Sequence, residues 1–196
     1  MTLLKIKTAG DAVLKKKAKP VAAIDDHIKK LASDMAQTMQ TAGGLGIAAP
    51  QVGVSLRVIV IDFGYLDFEK AESAGEKPAE AEFRPVAIIN PEILEKSGVS
   101  SISEGCLSVP GYRAPVERAA HIKVKFTDIE GKEVILEADG LTAIAFQHEI
   151  DHIDGILFID RLSTLKRGIA VKKVKKFLED IEEDGDKVEN ALYGKS

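Results

Sequence analysis

Two histidines that lie four positions apart, His148 and His152, are the residues of this sequence best placed for chemistry, and Glu149 directly follows the first of them. Positions i and i+4 of an α-helix share a face, so both imidazoles can bind one metal ion. Glu149 projects at an adjacent angle, from which its carboxylate can reach a water molecule on that ion and act as a general base. This spacing predicts metal-assisted hydrolysis on a helix that spans about residues 141–153.

A catalytic site of this kind needs a third protein ligand and an open position for water. No further His or Glu follows at the short spacing of metallopeptidases, and Asp154 comes too soon after His152 to share its face. The single cysteine of the chain, Cys106, is the remaining candidate. A lone cysteine is usually a buried apolar residue, and it can also be a nucleophile. Because Gly105 lets the backbone approach closely and a histidine pair is available, we favour a thiolate ligand.

A glycine-rich segment, residues 44–51, ends in Gln51. It lacks the third glycine of a dinucleotide fingerprint and no predicted strand precedes it, so we expect no nucleotide cofactor. We expect instead a flexible loop that leads into small residues packed against another backbone. The side-chain amide of Gln51 can donate to an oxyanion.

The chain that must position these residues has 196 residues, of which 45% are hydrophobic and 30% charged. These values predict one globular domain over residues 1–196. The net charge of −4 argues against general binding to nucleic acid or to a membrane surface. No apolar run is long enough to span a membrane, and the first residues do not form an export signal, so we expect a cytoplasmic protein.

Hydrophobic periodicity predicts an α+β fold, with short antiparallel sheets packed around a central helix that carries the histidines. The predicted elements are a helix at 24–40, strands at 56–63 and 86–90, a hairpin at 122–137, the helix at 141–153 and a C-terminal helix and tail within 165–196. The polar interval 64–85 is predicted to be a surface insertion that contains a helical turn. The last helix is expected to bury one apolar side: Leu165, Ile169, Val174, Phe177, Leu178 and Ile181.

Three segments together resemble the peptide deformylase family. They are a GxGxAAxQ segment at 44–51, EGCLS at 104–108 and QHExDH at 147–152, all of them complete and in this order. The resemblance continues through residues 108–113 and 155–162 and covers most of residues 1–165. The segment before the lysine run lacks the family's usual prolines, and the interval 64–85 is longer than in compact bacterial members, which can alter the rim of the cleft.

The resemblance implies removal of the formyl group, as formate, from the N-terminal formyl-methionine of newly made polypeptides. Cys106, His148 and His152 would then bind one divalent metal ion, natively Fe2+, with Zn2+ or Ni2+ possible in a purified sample. Glu149 would be the general base. The side chain of Gln51 and the backbone N–H of Leu107 would stabilise the oxyanion.

The resemblance also implies a substrate cleft. Gly46 would pair with the substrate backbone as an added strand, Arg113 would contact substrate, and Glu104 would orient a ligand. The apolar residues of the methionine pocket, beside the ring of His148, would be Leu45, Ile102, Leu141 and Ile144. The lysines at 166–176 are compatible with docking to the ribosome, although a solvated helix face explains them as well.

Two other functions remain open at this point. A metallopeptidase that cleaves internal peptide bonds explains the histidines and Glu149, but not the Cys106 and Gln51 segments. A non-catalytic protein with a structural metal would need a fourth ligand, and neither His27 nor His121 lies in a motif. Release of formate or of new amines from model peptides discriminates among these functions.

Overall fold

The computed structural model describes residues 2–76 and 80–183 of the chain, and this part contains four α-helices and seven strands in two sheets. The helices are α1 (Asp26–Thr41), α2 (Phe63–Ser73), α3 (Gly140–Ile153) and α4 (Thr164–Glu183). The strands are β1 (Gly46–Ala48), β2 (Val58–Asp62), β3 (Pro85–Ser97), β4 (Ser100–Cys106), β5 (Val109–Arg118), β6 (His121–Thr127) and β7 (Glu133–Asp139). None of the helices described is both long and apolar enough to cross a membrane.

The larger sheet has the strand order β1-β2-β3-β6-β7, and all of its neighbouring strands are antiparallel. Strand β2 is buried along its whole length because both faces of the sheet are covered there. Its side chains alternate in direction, as expected for a strand. Val58 and Val60 belong to the core on the α1 side, whereas Ile59 and Ile61 belong to the core on the α3 side. The predicted α+β class with antiparallel sheets is confirmed.

Helix α1 covers one face of this sheet through the apolar stripe that the sequence predicts. Its N-cap is Asp25, whose side chain accepts a hydrogen bond of 3.0 Å from the backbone N–H of Ile28. Met35 and Met39 are fully buried in the core that also contains Ile47 of β1. The two methionines therefore pack in the core.

Helix α3 lies on the opposite face, where Phe146, Ile150 and Ile153 pack in the core with Ile59 and Ile61. Most of its residues are buried, polar ones included, because α3 contacts β1, β2 and β7 and is also touched by α2. The histidine pair is thus held inside the molecule.

The smaller sheet is the β4–β5 hairpin, in which Cys106 pairs with Val109 across a tight turn. These two strands were not predicted from the sequence. A register shift between Glu104 and Cys106 turns this end of β4 out of the regular ladder. Cys106 therefore sits at the end of a strand, beside a turn.

Two expectations for the chain around the site hold only in part. In residues 44–51 the small residues do pack against another backbone, that of β2, but they form β1 and a 3-10 turn at Ala49–Val52 instead of a flexible loop. The interval 64–85 contains a longer helix than the single turn expected. Ten of its residues, together with Phe63, form α2, which buries Leu66 and brings Phe63 edge-on to Phe146, with 6.1 Å between ring centroids. Residues 77–79 of this interval lie outside the described chain.

The predicted apolar side of the last helix is partly wrong. Ala170 and Val174 are buried against the β4–β5 hairpin, and Phe177 and Leu178 are half-buried. Leu165 and Ile169 are 76% and 43% exposed, so the buried side begins one turn later than the sequence suggests. The side chain of Ile181 and the tail at 184–196 lie outside the described residues.

Candidate metal centre and cleft

Cys106, His148 and His152 meet where the end of β4 approaches α3. One ligand atom from each of the three lies within 4.8 Å of the others. The Sγ atom of Cys106 is 3.1 Å from Nε2 of His152, and the two imidazole rings are 5.0 Å apart and nearly perpendicular. The i, i+4 spacing on α3 and the strand end at Cys106 produce this arrangement.

The donor set fits a divalent first-row metal ion. One thiolate and two imidazoles are three ligands, which leaves room for a fourth from solvent or substrate. Nδ1 of His148 lies 2.8 Å from Oε2 of Glu104, an outer hydrogen bond that leaves Nε2 of the ring as the ligand atom. Glu104 therefore orients the ring of His148.

Burial and neighbouring charges shift the pKa values of both histidines. Burial lowers the pKa of His148, but hydrogen bonds with Cys106 and Glu104 outweigh this effect and raise the pKa well above its usual value. Burial and the charge of His148 hold the pKa of His152 well below its usual value. A metal ion binds the neutral form of an imidazole, so protonation of these histidines would compete with metal binding.

Glu149 is enclosed beside this centre. Burial raises its pKa to about 7, although the positive charges of His148 and Arg118 act in the opposite direction. Its Oε2 atom is buried and has no hydrogen-bond partner among the described residues. A Cβ atom at Gly46 would lie 2.5 Å from Oε1 of Glu149, so a larger residue at this point of β1 would require the side chain of Glu149 to move. A buried carboxylate with a pKa near neutrality is suited to general acid–base chemistry.

The side chain of Gln51 is buried and fixed at both ends. Its Oε1 accepts a hydrogen bond of 2.7 Å from the backbone N–H of Ala48. Its Nε2 donates to Oγ of Ser108 over 3.2 Å and faces Sγ of Cys106 at 3.5 Å. The N–H groups of Gln51 thus point to the candidate metal centre.

A cleft of about 910 Å³ opens at this centre. Of the site residues expected from the sequence, all except the deeply buried His152 line it. Arg113 also donates a hydrogen bond of 2.8 Å to the backbone oxygen of Ser103, which holds its guanidinium group along β4. The residues expected to bind substrate that line the cleft are Leu45, Gly46, Ile102, Arg113, Leu141 and Ile144, and Leu107 lines it as well.

Some residues at the site were not found from the sequence. Tyr65 and Phe83 line the cleft from the interval that we expected to be an insertion. Arg118, Asp151 and Arg161 form a charged group behind the centre. Only Asp151 could have been found from the sequence, because it lies within the histidine motif at 147–152. The two arginines lie outside that motif.

The fold and the site define a class of protein, an α+β hydrolase whose helix carries the pattern His-Glu-x-x-His. Cysteine is the third candidate ligand, and the sheets around the helix are antiparallel. Within that class, a family model described as polypeptide deformylase matches residues 3–168. The chain belongs to this family of hydrolases.

Relatives and solved structures agree with this membership. The peptide deformylase of Mesorhizobium japonicum is 47% identical over 171 residues, which are 87% of this chain and 90% of the relative. The crystal structure of a peptide deformylase from Legionella pneumophila has a TM-score of 0.78 at 43% identity, covering 91% of this chain and 96% of that one. A peptide deformylase from Ehrlichia chaffeensis in complex with actinonin has the same TM-score at 40% identity, with coverages of 90% and 98%.

Proposed function

We propose that this chain removes the formyl group, as formate, from the N-terminal formyl-methionine of newly synthesised polypeptides by metal-dependent hydrolysis. The observation that carries the proposal is that Cys106, His148 and the buried His152 meet at the wall of a cleft that Glu149 and Gln51 also line. A cytoplasmic location, where such chains are made, stays a prediction.

In this proposal Cys106, His148 and His152 hold one divalent ion, Fe2+ in the native protein and Zn2+ or Ni2+ in some preparations. Such an ion, when bound, supplies a Lewis acid that polarises a carbonyl and lowers the pKa of water. Glu149 takes a proton from the attacking water at a carboxylate oxygen and delivers it to the nitrogen of the leaving amine. The histidine helix thus positions the base as well as two ligands.

Gln51 and Leu107 stabilise the charge that develops on the formyl oxygen. Nε2 of Gln51 lies 3.5 Å from Sγ of Cys106, and Leu107 follows Cys106 directly, so both proposed donors belong to the surroundings of Cys106. Their contribution is greatest in the transition state, because the oxygen carries most charge there.

The cleft supplies a slot for methionine and an edge for the peptide. Leu141, Ile144 and His148 follow each other at helical spacing on α3 and all line the cleft. β1 is the edge strand of the larger sheet, so Gly46 can pair with an extended substrate backbone. Leu45, Ile102 and Arg113 complete this surface in the proposal.

The test is formate release from a formyl-Met-Ala-Ser peptide by protein prepared without oxygen and loaded with Fe2+. The parent should release formate, and a Glu149→Ala variant with the same metal content should not. Release of amines from internal bonds of unformylated peptides would favour the metallopeptidase alternative. A loaded, folded parent that releases neither product would favour a structural metal and reject the proposal.

We also propose that α4 docks to the ribosome. Its exposed cationic residues are Lys166, Arg167, Lys172, Lys173, Lys175 and Lys176. A phosphate backbone attracts such a helix in a salt-dependent manner. The protein should sediment with ribosomes at low salt and be released as salt rises, and absence of co-sedimentation at every salt concentration would reject the docking.

A further inference from the structure

A chain of charged side chains extends from the candidate metal centre into the protein behind it. Arg118, at the end of β5, donates to both oxygens of Glu104, and its Nη2 lies 2.9 Å from Oε2. Its Nη1 donates to Oδ2 of Asp151 on α3 over 2.8 Å. The side chains of Arg118 and Glu104 are only 2% and 4% exposed. All the charged atoms of Arg118 are therefore used within the fold.

Arg161 continues this chain outward to the protein surface. Its Nε and Nη2 donate to the two oxygens of Asp151, with Nε 2.6 Å from Oδ2. Arg161 is 38% exposed and does not line the cleft. Two arginines thus share Asp151, and the charges of the four groups cancel.

The series of charged side chains ends, on its inner side, at His148, which is a proposed metal ligand. Oε2 of Glu104, which accepts from Arg118, also lies 2.8 Å from Nδ1 of His148. Buried ion pairs of this kind stabilise folds little in comparison with apolar residues of the same volume. By contrast, a hydrogen bond to the ring nitrogen of a ligating histidine that does not face the metal fixes the orientation of the ring and increases the affinity for metal.

We propose that Arg161 is a positioning residue for His148, acting through Asp151, Arg118 and Glu104. Because Arg161 satisfies Asp151 from outside, Arg118 can keep two of its N–H groups on Glu104. Glu104 is thereby held where it accepts from Nδ1, so that Nε2 of His148 faces Cys106 and His152. This inference rests on the metal centre of the proposed function.

Arg161→Gln is the variant that tests the inference, because it removes the charge at the exposed end of the chain and leaves the buried members in place. We expect it to weaken metal binding about tenfold, the lower end of the range for lost outer-sphere contacts. Arg167→Gln is the matched control. Arg167 is also an arginine that is about half-exposed and paired to a carboxylate, that of Asp160 at 3.0 Å, but it makes no contact with Arg118 or Glu104.

The measurement is titration with Co2+, without oxygen, in competition with a chromophoric chelator, with the folded fraction of each protein measured by circular dichroism. The Co2+ absorption bands report the geometry of the ligands independently of activity. The inference predicts weaker binding and shifted bands for Arg161→Gln, and binding within twofold of the parent for Arg167→Gln.

A purely structural role of Arg161 would give a different result. It would lower the melting temperature but leave the affinity and the Co2+ bands of the folded protein unchanged, and that outcome would overturn the inference. Equal weakening in both arginine variants would overturn it as well, because the effect would then be general. If the parent itself bound no Co2+, the proposed metal centre would be wrong and this role with it, whereas a binding parent with an unchanged Arg161→Gln variant rejects only the positioning role.

Discussion

At the scale of single residues, Gln51 combines a structural contact and a proposed catalytic one in one side chain. Its Oε1 satisfies the backbone N–H of Ala48, which is buried where β1 ends. Its Nε2 is directed to Ser108 and Cys106. The structural role of Oε1 and the proposed catalytic role of Nε2 can therefore be distinguished by measuring stability and turnover in the same variant.

Gln51→Ala should lower kcat by about 100-fold, because one oxyanion donor is lost. It should also lower the free energy of unfolding by about 1–3 kcal/mol, because the N–H of Ala48 is left without its partner. Formate release and urea unfolding, both at equal metal content, measure the two effects. Full turnover together with the stability loss would show that Gln51 is structural only. Ser108→Ala, which keeps the amide, is the control for loss of the neighbouring hydroxyl.

At the scale of elements, the approach of β1 to α3 determines where Glu149 lies. Glu149 is buried, and its carboxylate occupies the space that a side chain at residue 46 would need. The short strand β1 is held by three antiparallel pairs to β2, so it cannot readily retreat. A side chain at residue 46 would therefore require Glu149 to move.

Gly46→Ala should displace Glu149 and reduce formate release by at least about 10-fold, because a general base contributes about 10²–10⁴-fold when well placed. Metal content should not change, since the atoms nearest to a Cβ at residue 46 all belong to Glu149 and none to the three candidate ligands. Gly168→Ala is the control. A Cβ at this α4 position meets nothing within 4 Å, so it should retain activity and stabilise the helix by about 1 kcal/mol. Unchanged turnover in Gly46→Ala would contradict the assigned position of the base.

The elements that were predicted well from sequence are those with a long hydrophobic period. Helix α1 and the β6–β7 hairpin are confirmed, since their patterns repeat over several turns or alternations. Helix α3 is buried on most sides, so its histidine spacing marks it in the sequence and a hydrophobic period does not. The strands β1, β4 and β5 were missed. β1 has only three residues, and β4 and β5 are rich in Ser, Gly, Pro and charged residues, so no alternation marks them.

The site was predicted more completely than the sheets, because the residues of the site lie in short motifs. The charged residues behind the site do not lie in such motifs. His148, Glu149 and His152 share one helical turn, which fixes their geometry locally. Arg118 and Arg161 reach Asp151 only through tertiary folding, since they come from β5 and from the 3-10 turn at Phe158–Arg161. No spacing within the sequence could connect them.

At the scale of the whole molecule, Asp160 connects the 3-10 turn at Phe158–Arg161 to the 3-10 turn at Ala12–Lys15, near the N-terminus. It pairs with Lys15 of the N-terminal 3-10 turn and accepts a hydrogen bond of 2.8 Å from the N–H of Leu157. Burial raises the pKa of Asp160, but these donors outweigh it and hold the pKa below its usual value. Because the folded-state value is the lower one, this stabilisation is present at neutral pH and is lost as pH falls through the folded-state pKa.

Asp160→Asn should therefore be less stable than the parent at pH 6, and the difference should shrink as the pH falls below about 4. Urea unfolding at a series of pH values measures this. Asp67→Asn is the control, since Asp67 is 64% exposed in its pair with Arg84 and should change stability by less than about 1 kcal/mol. A gap between Asp160→Asn and the parent that stayed constant into acid would exclude the charge as its cause.

The proposed metal would join the two sheets, because Cys106 belongs to β4 of the small hairpin whereas His148 and His152 lie on α3, which packs on the larger sheet. A ligand that binds only the folded chain stabilises it by about 2.7 kcal/mol at 100 times its Kd. Zn2+ should therefore raise the melting temperature of the parent, and removal with a chelator should reverse the rise. In Cys106→Ala the rise should be much smaller, because two imidazoles on a single helix remain and no longer connect that helix to the hairpin. An equal rise in Cys106→Ala would place the stabilising ion elsewhere and would remove the thiolate from the ligand set.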